Sequence, residues 1–234
     1  KSNTMKKFMA ITLSLGLVVA AQAQLEVGLK AGVNLASQST NIDGADYGST
    51  TGLYLGIPVR YYINDNLVFQ PEIAFMQKGS SFDFETSVPG FFETKVESDG
   101  KLNYVEIPLM VQYLIGDGDI QPFVQAGPSI GIGMGTKSTG TSTTTVTDPF
   151  TGSTTTETED FDDSGSFEDA GLSGIDFGFG IGAGAVMEAG PGDLSLNLLY
   201  NLGFANILDA DTAGDNKINN RGLAIMLGFV LPIN

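Results

Sequence analysis

The stretch Ile175-Asp176-Phe177-Gly178-Phe179-Gly180-Ile181-Gly182-Ala183-Gly184-Ala185 decides the fold. Its odd positions are apolar, and its even positions are glycine apart from one aspartate. Successive side chains of a β-strand point to opposite faces, so this is a strand with one greasy face and one nearly bare face. A soluble barrel would turn the greasy face inward and show water an exterior rich in Lys, Glu and Asp. Glycine with sparse charge suits the crowded interior of a narrow barrel instead. The apolar set therefore faces lipid.

The same alternation recurs outward from this strand. Leu25, Val27, Leu29, Ala31 and Val33 oppose Glu26, Gly28, Lys30, Gly32 and Asn34. Leu53 to Ile63, Val105 to Tyr113 and Leu223 to Leu231 repeat it on their odd positions, and Leu194 to Phe204 on its even ones. The apolar set carries Tyr61, Phe69, Phe75, Tyr113, Phe177, Tyr200 and Phe204, aromatics of the kind that girdle a membrane barrel. Two further strands, Leu67 to Met76 and Pro122 to Gly131, are less regular. Prolines at 58, 71, 108, 122 and 128 each remove a ladder donor, and local bulges are expected there.

Eight such stretches are joined by connections that alternate short and long. The short ones are Asn64-Asp65-Asn66, Gly116-Asp117-Gly118-Asp119 and Gly190-Pro191-Gly192-Asp193; the long ones run roughly over 36–50, 79–100, 135–172 and 206–219. That rhythm predicts an all-β fold: an eight-stranded antiparallel up-and-down transmembrane β-barrel with short periplasmic turns and long extracellular loops. The expected location is the outer membrane, as an integral protein with both termini periplasmic.

Residues 1–23 read as a signal peptide. Met5-Lys6-Lys7 is the charged start, with Met5 the expected initiator; Phe8 to Ala20 is the apolar region, and Ala21-Gln22-Ala23 the cleavage site. The barrel domain then occupies 24–234. With no cysteine, the chain has neither disulfides nor a thiol for a lipid anchor.

Charge is segregated. The four long connections hold 18 of the 27 acids against Lys95, Lys137 and Lys217, so nearly all of the net −16 lies on one face. Such a face repels nucleic acid and favours cations or basic partners. The absence of histidine and cysteine excludes Ser-His and Cys-His catalysis and His-ligated zinc. Glu72 and Glu106 could form a glycosidase pair, but nothing predicts a sugar-sized cleft between them. No enzymatic activity and no cofactor are expected.

On the lumen side, Lys30 and Arg60 face Glu26, Glu72, Glu106, Asp176 and Glu188. The turn at 64–66 puts Arg60 opposite Gln70 and diagonal to Glu72. Unpaired charge in a low-dielectric lumen is costly, so these groups should form an ion-pair network that plugs the barrel. The alternative is a narrow gated conduit or an accessory of a secretion apparatus.

Thr136 to Thr156, followed by the acidic run Glu157 to Asp163, reads as a disordered segment or a mobile β-extension. Asp209, Asp211 and Asp215 partly echo a calcium loop, although Ala213 occupies a ligand position and Asn220 stands where the bidentate Glu belongs. Asp211-Thr212-Ala213 is similar to a short bacterial O-glycosylation motif centred on Thr212. The expected partners are outer-membrane lipids and lipopolysaccharide, with a surface polysaccharide or a protein on the loops.

Gly28-Leu29-Lys30-Ala31-Gly32-Val33-Asn34 resembles the opening strand of the PorT-like outer-membrane β-barrel proteins of Bacteroidetes. Pro71-Glu72-Ile73-Ala74-Phe75-Met76-Gln77-Lys78-Gly79 is similar to that family's third strand. Tyr104-Val105-Glu106-Ile107-Pro108-Leu109, followed by Pro122-Phe123-Val124-Gln125-Ala126-Gly127-Pro128-Ser129, is the most specific match. The resemblance spans nearly all of the mature chain and implies an eight-stranded small outer-membrane barrel. One namesake serves protein secretion, but no motif here carries that role.

Overall fold

Each short connection folds for a local reason. Asn64 Oδ1 accepts the amides of Asn66 and Leu67 at 3.0 and 2.9 Å, closing the first turn as an Asx turn. Such turns join consecutive antiparallel strands: β1 (Leu25–Thr40), β2 (Thr50–Asn64), β3 (Leu67–Val88), β4 (Phe92–Leu114), β5 (Ile120–Thr147), β6 (Thr154–Gly165), β7 (Ile175–Ala189), β8 (Gly192–Gly203) and β9 (Ile218–Ile233). One helical turn, α1 (Ala210–Ala213), precedes β9. The computed structural model describes residues 25–42 and 47–233, without the side chains of Asp211 and Thr212; the expected leader lies outside these residues.

Eight strands close a ring. β1 pairs with β2 on one side and with β9 on the other, from Leu25 opposite Ile233 to Thr40 opposite Ile218. β6 stands outside the ring, paired to the upper part of β5, while β7 pairs with the lower part. The ring matches the expected eight-stranded antiparallel barrel, and the ninth strand is an addition to it.

Faces follow the alternation. Leu29, Leu55, Ile73, Ile181, Leu196 and Leu227 are exposed on the outside. Lys30, Glu72, Met110, Gln125, Asp176, Asn197 and Met226 are buried inside. The prolines do not produce the expected bulges. Register is the same on either side of Pro58, Pro71, Pro108, Pro122 and Pro128, and shifts instead between Tyr62 and Asn64 and between Asn103 and Tyr104. A missing donor costs a single ladder bond, which leaves the neighbouring pairs in place.

Two of the long connections are strand for much of their length, the second in line with the β-extension alternative. A tilted strand crosses a bilayer with about 9–11 residues. β3, β4 and β5 have 22, 23 and 28 residues, so their upper halves project well beyond the ring. Residues 79–100 form a continuous hairpin, with Gly79 opposite Lys101 and Val88 opposite Phe92. Residues 136–165 form a second hairpin, with Thr136 opposite Gly165. Side by side they make a four-stranded sheet, β3-β4-β5-β6, rising roughly 30 Å from Gly79 to Val88 at about 3.3 Å per residue. The two tips are joined by Thr147 N–H donating to the Phe91 carbonyl at 2.7 Å.

Candidate functional site

The lumen is built in layers. Nearest the short turns, Val68, Leu114, Phe123 and Val186 form an apolar layer against Tyr62. Level with it, at the short-turn mouth, Arg60 Nη1 lies 2.7 Å from Glu26 Oε2 and 3.1 Å from Asp193 Oδ2. Gln112 Nε2 donates to Gln70 Oε1 and Gln125 Oε1 at 3.1 and 3.0 Å. Next, Lys30 Nζ contacts Glu72 Oε2 at 2.6 Å, and the Tyr54 hydroxyl donates to Glu72 Oε1 at 2.8 Å. A second apolar layer follows, of Ala74, Met76, Met110, Leu199, Ala224 and Met226.

The uppermost ionic group is Lys78, 2.8 Å from Glu106 Oε2 and 3.0 Å from Asp176 Oδ2. Asn220 Nδ2 donates to the same Asp176 oxygen at 3.0 Å, and Lys78 lies 4.9 Å from the centre of the Tyr104 ring. Above this layer Phe167 packs edge-on against Tyr104, with 5.1 Å between ring centres. Leu102, Ile207 and Ile218 complete a third apolar layer. Gly133 makes it possible: a Cβ there would meet the Phe167 ring at 2.7 Å.

The connections that carry Phe167 and Ile207 are zipped together by Ser173 N–H to the Ile207 carbonyl, and by Asp209 N–H to the Gly171 carbonyl. Ser166 and Asp169 cap the turn reciprocally. Ser166 Oγ donates to Asp169 Oδ2 at 2.6 Å, while Asp169 N–H donates to Ser166 Oγ at 3.0 Å. The Ser166 hydroxyl, with the Ser166 amide donating to the same Oδ2 at 3.4 Å, holds the Asp169 carboxyl below the usual carboxylate range.

The candidate lumen residues thus meet partners the sequence reading did not assign. Arg60 stands across from Gln70 in the β2–β3 register, and its ion pair goes to Glu26, directly opposite on β1. Glu72 takes Lys30, and Glu106 takes Lys78. Glu188 stays outside this group. It lines a cavity of about 1020 Å³ at the short-turn end with Glu26, Asp65, Asp117, Asp119 and Asp193. Lys78 and Asp193 join the network without standing among the candidates. Lys78 shares the even parity of Gln70 and Glu72, which is the signal for it, whereas Asp193 falls in the Gly190–Asp193 turn of the sequence.

On the loops, Asp209 and Asp215 flank α1, and the side chains of Asp211 and Thr212 lie outside the described residues. Among the described residues, no group of three or more His, Cys, Asp or Glu side chains is placed to hold a metal.

Polarity inverts along the projecting sheet. Below Gly79 the outward face is apolar and the inward face polar. Above it, register puts Asp83, Glu97, Thr141 and Asp160 in one row of the outward face, with Lys95, Lys101 and Lys137 on that same face. The inward face carries Phe82, Phe84, Val88, Phe92, Val96 and Val146. Phe82 stacks on Phe84 with ring centres 6.5 Å apart, and Tyr47 covers part of Phe82 at 6.0 Å. At the second tip Asp148 Oδ1 accepts the Phe150 and Thr151 amides at 2.8 and 3.3 Å, which lowers its carboxyl pKa.

A closed antiparallel ring with an apolar outside and a polar inside defines a membrane-spanning β-barrel. Residues 20–209 match the outer membrane protein beta-barrel domain family, and the chain belongs to that family: it is an integral outer-membrane barrel protein. Among solved structures it is similar to Neisserial surface protein A, at 16% identity over 89% of this chain and 97% of that one, with a TM-score of 0.44. OprG from Pseudomonas aeruginosa is similar at 14% identity over 89% and 96%, with a TM-score of 0.45. Ail, the attachment invasion locus protein of Yersinia pestis, is similar at 14% over 87% and 97%, with a TM-score of 0.38. No curated protein matches the chain in sequence.

Proposed function

We propose that this protein is a closed outer-membrane barrel that holds a rigid binding sheet at the cell surface. The observation that carries this reading is the projecting β3-β4-β5-β6 sheet, whose strands exceed what a bilayer crossing requires and whose face polarity reverses above the ring. In this orientation the short turns and both termini are periplasmic and the sheet is extracellular. The strand matches given above favour the PorT-like branch of small barrels.

Closure is supported by three buried apolar layers in series, with the Lys30 and Lys78 ion pairs between them. Arrangements of this kind disfavour a gated conduit, because ions would have to pass dewetted side-chain plugs as well as fixed charges. The acidic outward face and edge suit a basic protein segment better than an anionic polysaccharide.

The test is attachment of cells bearing the full chain, compared with cells bearing a form in which 138–163 is replaced by a tight turn, to protein- and polysaccharide-coated surfaces. Loss of attachment in the trimmed form, with the barrel still folded, supports the reading. Equal attachment overturns it.

A further inference from the structure

The inward face of the projecting sheet is divided lengthwise. β3 and β4 contribute Phe82, Phe84, Phe92 and Val96, whereas β6 contributes Glu157, Glu159 and Asp163. Between them, below Val146, β5 contributes only small side chains at Ser138, Gly140, Ser142 and Thr144. The result is a trough with one apolar wall, one acidic wall and a small-residue floor. Phe161 stands between Glu159 and Asp163 on the acidic wall and folds over Gly140, since a Cβ at Gly140 would meet that ring at 2.6 Å.

Charge on this face is unanswered. Lys95, Lys101 and Lys137 all belong to the outward face by register, and the ion pairs of Lys95 and Lys137 go to the outward residues Glu97 and Asp162. Val96 and Glu159 lie two strands apart, about 10 Å at the usual inter-strand spacing. A helix with its side chains is about 10–12 Å across. The trough is therefore as wide as one helix.

We propose that this trough binds a cationic amphipathic helix, with its apolar stripe on Phe84 and Val96 and its lysines or arginines on Glu157, Glu159 and Asp163. This rests on the surface-binding reading and specifies the partner's chemistry. The two walls demand both properties at once. A purely basic segment would leave the phenylalanines wet, and a purely apolar one would desolvate the carboxylates without pairing them.

The test uses the whole protein in zwitterionic nanodiscs, with empty nanodiscs as the blank. The probe is a synthetic Leu/Lys peptide whose leucines fall on one helical face, compared with the same composition scrambled. Saturable binding is expected for the amphipathic peptide alone. Glu157→Gln/Glu159→Gln/Asp163→Asn should weaken it about tenfold, as three exposed charge pairs of modest worth act together. Glu85→Gln/Glu93→Gln/Asp160→Asn removes the same charge from the outward face and should leave it unchanged.

Equal weakening by the two triple variants, or equal binding of the scrambled peptide, would overturn the proposal. So would no binding above the blank. If that failure came with attachment still lost in the 138–163 trimmed cells, the surface-binding reading would stand and only the helix partner would fall.

Discussion

Lys78 and Asp176 meet at 3.0 Å across the lumen, joining β3 to β7, two strands that are not neighbours in the ring. Glu106 lies on the other side of the same ammonium at 2.8 Å. One cation thus fixes two carboxylates beneath the Phe167 layer.

Lys78→Met should be the most destabilising of the lumen substitutions. It leaves two buried carboxylates facing each other without a cation, a loss of roughly 3–5 kcal/mol. Asp176→Asn keeps the Lys78–Glu106 pair and should cost distinctly less. Urea unfolding in detergent, followed by the gel shift between folded and boiled protein, measures both.

The loop-end layer depends on one ring. Phe167→Ala removes the side chain packed on Tyr104 and Gly133 and should cost about 3 kcal/mol, the lower end for a buried phenylalanine. Limited proteolysis should then cut within 166–172 while the ring stays intact. Gly133→Val should produce the same cleavage by displacing Phe167 from below.

The two capped turns carry a defined pH response. Asp148 and Asp169 have lowered carboxyl pKa values, so their contribution is fully present above the ordinary carboxylate value of about 4 and is lost as pH falls through the folded-state value. Amide NMR shifts of Phe150 and Thr151 should be constant from neutral pH down to about 5 and move only below that range. Asp148→Asn should abolish the step.

Most of the ring was legible because period-two alternation is a strong local pattern, as in Ile175 to Ala185. The projecting sheet was legible only in part, as the β-extension that stood beside disorder for one of its two hairpins. Thr136 to Thr156 has low hydrophobicity and looks like linker, yet threonine is β-branched and favours strands. The structure uses it in cross-strand pairs: Thr94 with Thr144 at 3.2 Å, and Thr145 with Thr156 at 3.1 Å. Ion-pair partners across the lumen were illegible for another reason. Which residues meet over the axis depends on the stagger of the closed ring, and Lys78–Asp176 spans 98 positions of sequence.

If the lumen is closed by its apolar layers, charge neutralisation will not open it. Arg60→Gln and Glu106→Gln should give no discrete conductance steps in planar bilayers, like the wild type. Steps in either variant would favour the conduit reading.

The side of the membrane on which the projecting sheet stands decides whether it can bind at the cell surface. The chain has no cysteine, so single thiols can be placed at will. Thr144→Cys in the sheet and Asp117→Cys in a short turn should be treated on intact cells with a membrane-impermeant maleimide. Labelling at 144 alone, with 117 labelled only after lysis, is the predicted result. Labelling at 117 and protection at 144 would invert the barrel and contradict the account.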